Sequence, residues 1–211
     1  MVIAPLAVAV IRVLIPYSTS PSGTLAASRA NAGLYPVLAV AEVIVVFTMG
    51  FAMLGLGRLI QGRAPILALI GTPVAVLSWI LGGGVLGTLD SVTYELARLG
   101  GAGSIAPAIL DRINGNPEIG LFFGVFISGH LLGVLLLGIG LAVSRQVPVW
   151  AGIAVIAGDV LHPVAFVLLQ SHLLDGLSYL VMAAGMAMAA RAVLATPNDE
   201  WDLAPGAAPR A

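Results

Sequence analysis

Five stretches of this chain are apolar for more than 20 residues each: residues 34–57, 66–89, 119–143, 147–169 and 173–194. About 20 such residues carry a helix across the hydrocarbon core of a bilayer. Within lipid, backbone N–H and C=O groups must be satisfied inside the segment itself, so runs of this length become helices. The expectation is an all-α, polytopic transmembrane bundle. A sixth segment, residues 2–15, is shorter and carries Arg12. A cleaved signal peptide is the rival reading there, because small residues follow at Ala26 and Ala27. That reading asks for a positive n-region and an unbroken apolar stretch, and neither is present. Residues 2–15 are therefore read as a first helix, whose shortness a misassigned start codon would explain.

Six helices joined by mostly short connections make one bundle over residues 1–195. The tail of residues 196–211, rich in Ala, Pro and acidic side chains, is expected to be disordered. Arginine placement orients the bundle. Arg58, Arg63 and Arg145 lie in short connections and Arg191 near the last helix end, whereas Arg29, Arg98 and Arg112 are spread over longer ones. Both termini are thus expected in the cytoplasm of a bacterial inner (plasma) membrane, with residues 17–33 and 90–118 outside. In the second outer loop Val92, Leu96 and Leu99, and then Ile105, Ile109 and Ile113, recur at helical spacing. These are expected to be two short interfacial helices, separated by Gly100, Gly101 and Gly103, serving as a connector or as a lid.

Composition agrees and excludes several classes. The chain is 59% hydrophobic and 9% charged, against about 25% charged in soluble domains. Its net charge of −1 and lack of a basic stripe leave no surface for nucleic acid. Cysteine is absent, which removes disulfides, thiolate metal sites and Cys nucleophiles together. No Walker A loop, dinucleotide fingerprint, HExxH, nucleophile elbow or paired magnesium–diphosphate acids occur, so no cofactor and no metal are expected.

Chemistry must then come from the polar residues inside the spans. An ionisable group there costs at least a few kcal/mol and marks a functional candidate. Four stand out: Glu42, His130, Asp159 and His162. At 1.5 Å of rise per residue from the outer helix ends, Glu42 lies about 12 Å deep, His130 about 16 Å, Asp159 about 13 Å and His162 about 9 Å. Three helices thus place them in one layer. Asp159 and His162, at i and i+3, share a helix face, and they either satisfy one another or serve a site. Pro163 has no N–H for the Asp159 carbonyl, so a kink is expected beside them. Gly129 and Gly133 flank His130 as a small-xxx-small pair that admits a close neighbour. Glu42 has no local partner and is either a neutral carboxyl or the partner of Arg12. Trp79, near mid-depth beside Gly82-Gly83-Gly84, and the phenylalanines, Phe51 and Phe126 among them, would suit an apolar or cationic guest. Asp90 and Asp175 read as solvated helix-end residues, and His172 as a loop histidine.

The stretch from Ser128 to His162, with Gly129-His130-Leu131-Leu132-Gly133, the Pro148-Val149-Trp150 turn and Asp159 with His162-Pro163, resembles small multi-pass membrane proteins of actinobacteria. In size, helicity and buried acids the chain is similar, more loosely, to integral membrane terpene cyclases. That resemblance implies a membrane enzyme that protonates an isoprenoid-type substrate, with Asp159 or Glu42 as acid. His162 and His130 would orient the acid or take the final proton, and Trp79, Phe126 and Phe51 would face the substrate. Two other classes stay open. One is a proton-coupled small carrier, for which a homodimer would supply the missing half. The other is a non-catalytic subunit, including one that carries haem on His130 and His162, whose depths differ by about 7 Å. The partners expected are membrane lipids and a lipidic small molecule.

Overall fold

The computed structural model describes residues 1–15, 18, 20–100 and 105–196, and among them it is all helix. Helix α1 spans Ile3–Leu14, α2 Pro21–Ala30, α3 Tyr35–Ile60 and α4 Pro65–Leu99. Then follow α5 Ala106–Asn114, α6 Pro117–Ser144, α7 Val149–Pro163 and α8 His172–Ala195. Five of these segments are long and apolar enough to span a bilayer, and α1 is a shorter apolar helix beside them. The chain is a multi-pass membrane protein.

Local chemistry sets the helix ends. Ser20, Asn116 and Ser171 cap α2, α6 and α8 by accepting from backbone N–H groups of the first turn, which satisfies donors that have no partner within the helix. Proline opens α2, α4 and α6 at a position where its missing N–H costs nothing. Pro163 breaks the ladder of α7, and the chain widens into a π-turn over Val164–Leu168 rather than stopping. Arg145 and Gln170 take left-handed backbone conformations, with φ of 52° and 49°, where α6 turns into α7 and α7 into α8.

The six apolar helices form a closed ring in the order α1, α3, α4, α6, α7, α8 and back to α1, each packed mainly on its two neighbours. Glycine sets the spacing where backbones approach most closely. A Cβ at Gly133 would collide with the Ala75 backbone of α4, and one at Gly152 with the Gly138 carbonyl and Ala142 of α6. The large exposed side chains, such as Ile66, Leu69 and Leu121, point away from the ring, while Met49, Met53, Leu137, Met182 and Met186 fill it. An outer face as apolar as the inner one fits a lipid solvent.

Two outer-loop expectations need correction. α4 is continuous to Leu99, so Val92, Leu96 and Leu99 extend the spanning helix and do not form a separate interfacial one. At 35 residues it is about 52 Å long, well beyond a hydrocarbon core of about 30 Å. Residues 17–33, expected as a plain connection, contain α2. The second expected short helix is present as α5. α2, α5 and the overhang of α4 pack through Leu25, Leu96, Ala97, Ala106 and Leu110 into a small cap on one end of the ring, and the Arg29 Nε donates to the Ala97 carbonyl at 2.9 Å. Gly101, Gly103 and the tail beyond residue 196 lie outside the described residues.

Gly133→Leu is expected to force α4 and α6 apart at a cost of about 1–3 kcal/mol, lowering the melting temperature in detergent by roughly 2–12 °C. Gly124→Ala, where a Cβ meets open space, is expected to leave the melt unchanged. Equal melts for both variants would contradict the close packing at Gly133.

Candidate functional site

At the capped end of the ring α1, α7 and α8 meet around one buried carboxyl. Asp175 lies in the first turn of α8 and is fully enclosed. Its Oδ1 accepts from His162 Nδ1 of α7 at 2.5 Å, and its Oδ2 lies 3.5 Å from Arg12 Nε of α1. The second contact is an ion pair by distance, without hydrogen-bond geometry. The Arg12 guanidinium also stands 5.3 Å over the Phe166 ring, and the Arg12 backbone carbonyl accepts from His172 Nδ1 at 3.1 Å. A buried cation and carboxylate tied this way offset part of their desolvation, and the imidazole bond satisfies a further lone pair.

An aromatic wall continues from His162 across the ring. Its imidazole lies 5.1 Å from the Tyr179 ring and 6.0 Å from that of His130. His130, buried in α6, donates from Nδ1 to the Phe126 carbonyl one turn back at 2.8 Å, since a carbonyl can only accept. Its Nε2 is therefore the lone-pair nitrogen, and it is enclosed with no partner among the described residues. Phe126 and Trp79 pack on His130 at 4.5 and 5.5 Å and meet each other edge to face at 5.6 Å. Gly82 makes room for the Phe126 ring, because a Cβ there would stand inside it.

Trp79 joins this wall to a second acidic centre. A narrow crevice of about 50 Å³ is lined by Trp79, Arg12, Glu42 and Asp90 among others. Glu42 on α3 and Asp90 on α4 thus face the same crevice as Arg12, and Glu42 Oε1 is buried there without a hydrogen-bond partner among the described residues. Glu42 also lines a groove of about 660 Å³ between α3 and α4, walled by Val43, Val46, Phe47, Val92 and Leu96. The groove exists because Gly83, Gly84 and Gly87 carry no side chains along it, and Cβ growth at Gly87 would reach 3.0 Å from Glu42 Oε2. A third crevice of about 200 Å³ runs from Glu42 and Asp90 to the stacked rings of Tyr35 and Tyr94, 4.4 Å apart under the cap.

Of the candidates named from sequence, His130, His162, Trp79 and Phe126 are brought into contact, and Glu42 adjoins them across Trp79. Asp159 is buried at 1% exposure beside Tyr179, yet neither of its oxygens has a partner among the described residues. The expected Asp159–His162 pair does not form, because the imidazole turns across to α8 and Asp175. The expected Glu42–Arg12 ion pair does not form either: Arg12 pairs with Asp175, and Glu42 Oε1 is left without a hydrogen-bond partner among the described residues. Phe51 is 70% exposed on the outer face and stands away from the site. Among the described residues no group of three or more His, Asp or Glu side chains converges as a metal site would require.

No family model, curated protein or solved structure matches this chain. The site therefore has to be read from its own geometry.

Asp175, read from sequence as a solvated helix end, is instead enclosed against Arg12 and His162, Asp90 lines the buried crevice with Arg12, and Tyr179 was not singled out. The signal for Asp175 was the short connection between Leu168 and His172, which sets the last turn of α7 beside the first turn of α8. Asp175→Asn or Arg12→Met, each leaving a buried charge without its partner, is expected to cost about 3–5 kcal/mol. Asp159→Asn removes no bond and is expected to stay within about 1 kcal/mol of the parent. Denaturant or thermal unfolding in detergent measures all three, and an Asp159 variant as damaged as Asp175→Asn would contradict these pairings.

Proposed function

We propose that this protein is an enzyme of the plasma membrane that acts on an apolar, isoprenoid-type lipid and starts its reaction by protonation. The observation that carries this reading is the position of Glu42. Its carboxyl stands at the junction of an apolar groove between α3 and α4, a crevice leading to Arg12 and Trp79, and the second carboxyl, Asp90. A substrate entering sideways from the bilayer would meet a proton donor in the wall of an apolar channel.

The chemistry is balanced without a cofactor. A proton from the Glu42 carboxyl adds to an alkene carbon or an epoxide oxygen, leaving a carbocation. A second alkene of the same molecule attacks that centre, closing a ring and moving the charge. Loss of a proton from carbon ends the sequence, and the product is an isomer of the substrate. General acid catalysis of this kind contributes about 10²–10⁴-fold. The faces of Trp79 and Phe126 supply electron density toward a cation. Glu42, rather than Asp159, is the acid of choice, since Asp159 lines none of the three crevices described above.

A carrier reading draws on the same residue, because a carboxyl that faces both a lipid-side groove and an inner crevice suits proton-coupled passage. One experiment separates them. Membranes containing the protein are incubated in D₂O with linear prenylated compounds and their epoxides, and products are read by mass spectrometry. An isomer is expected, carrying one carbon-bound solvent deuterium where an alkene is protonated and only an exchangeable hydroxyl deuterium where an epoxide is, and its formation is reduced about 10²–10⁴-fold in Glu42→Gln and largely retained in Asp159→Asn. Isomer formation that survives Glu42→Gln would sink the assignment of the acid. Proton-driven uptake without any isomer would move the reading to the carrier.

A further inference from the structure

Glu42 lines three cavities, and the reaction uses only the lipid-facing one. We infer that the other two hold water, which re-protonates Glu42 through Asp90 while the lipid reaches the same carboxyl by the groove. The inference rests on the reaction proposed above for its purpose and on the cavities alone for its geometry.

The inner crevice has the marks of a water site. Trp79 lines it and is only 3% exposed, yet its Nε1–H has no partner among the described residues. Glu42 Oε1 is buried without a hydrogen-bond partner as well, and Arg12 and Asp90 complete the polar lining. An indole N–H can only donate, and within a bilayer it must find an acceptor in the protein or in enclosed water. A buried water takes about two to four polar partners, which this lining supplies. At about 50 Å³ the crevice has room for one such molecule, whose share of the liquid is about 30 Å³.

The outer crevice carries that water to the surface. Glu42 and Asp90 line both crevices, and the outer one, of about 200 Å³, runs on to Ser91 and Glu95, which are exposed. Gly87 is level with Glu42, and Glu95 lies about 12 Å further along α4 by helix rise. At that end the groove shares Ser91 and Glu95 with the crevice. Toward the membrane centre the two differ. There the groove is walled by Val43, Val46, Phe47, Gly83 and Gly84, which suit a lipid chain and offer water nothing.

The proton balance is simple. Once Glu42 has given its proton to the substrate, Asp90 passes one to the Glu42 carboxylate through the shared water. Asp90 takes its replacement from the water leading to Ser91 and Glu95. Each O–H bond broken along the path is matched by one formed at the next oxygen. The proton lost from carbon leaves to the same water, so charge balances over the cycle without oxidant or reductant.

The test needs no substrate. Full-length protein in lipid nanodiscs is moved from H₂O to D₂O buffer, and infrared spectroscopy follows the C=O stretch of protonated Glu42, assigned by its loss in Glu42→Gln. The shift to the deuterated form is expected to be complete by the first spectrum in the parent. It is expected to be about 10²-fold slower in Asp90→Asn and restored in Asp90→Glu. Gly84→Phe grows into the groove from a position where a Cβ meets open space. That variant is expected to abolish product and leave exchange at the parent rate. A Glu42 band that stays protonated for hours in the parent would overturn the wet path whether or not any variant folds. An Asp90→Asn protein that elutes and exchanges as the parent does would overturn the relay. Exchange slowed by Gly84→Phe would put the water in the groove and overturn the division of routes. A parent with no band lost in Glu42→Gln would overturn relay and acid together. Rapid exchange with no isomer formed would strike the proposed reaction alone.

Discussion

In a bilayer a polar side chain cannot turn to water, so each one has to find its partner inside the protein. For this chain that constraint converges on Asp175. Its carboxyl receives Arg12 from α1 and His162 from α7 while sitting on α8, and so ties three consecutive members of the ring at one height. α1 is only 12 residues long, too short to cross a core of about 30 Å as a straight helix. Its place between α8 and α3 is held by apolar packing through Val8 and Ile11 and by this ionic contact at its C-terminal turn. The ring closes where the charges meet.

The same economy shapes the opposite wall. Between α3 and α4 side chains are withdrawn, at Gly83, Gly84 and Gly87, and the space becomes a groove with Glu42 in its wall. Glycine lowers helix propensity, but in lipid the backbone has no water to turn to and the helix persists through the run. The overhang of α4, with α2 and α5 packed on it, forms a cap at the end of the ring toward which the crevice lined by Asp90 and Tyr94 runs. Tyr35 links the cap to the ring: its hydroxyl meets Ser28 of α2 at 2.5 Å while its ring stacks on Tyr94 of α4. Acid, aromatic wall and imidazole thus line up across the bundle, each on a different helix, under one lid of short helices.

The departures from the sequence reading have physical causes. Val92, Leu96 and Leu99 make the same apolar stripe whether they lie on a headgroup surface or continue a spanning helix, and periodicity cannot separate the two. The lack of any Gly or Pro between Leu89 and Leu99 was the signal that the helix runs on. Ser20 before Pro21 was a legible start for α2, hidden by the polar character of the helix that follows. Phe51 was grouped with the site by residue type, yet on a helix apolar all round type says nothing of direction, and it faces outward.

The sequence by itself determined the spans, because only a helix satisfies backbone in lipid over more than 20 apolar residues. It also determined that Glu42, His130, Asp159 and His162 needed explanation, because their cost in hydrocarbon is independent of neighbours. Which partners they took was decided by tertiary structure alone. Asp175 looked like a wet helix end until α1 closed over it, and Asp159 looked like the partner of His162 until the imidazole crossed to α8. Pairing depends on distances between helices, and those are set by small residues at crossings such as Gly133 on Ala75 and Gly158 on Ser178. One-dimensional spacing carries the period of a helix, and it does not carry the rotation of one helix against the next.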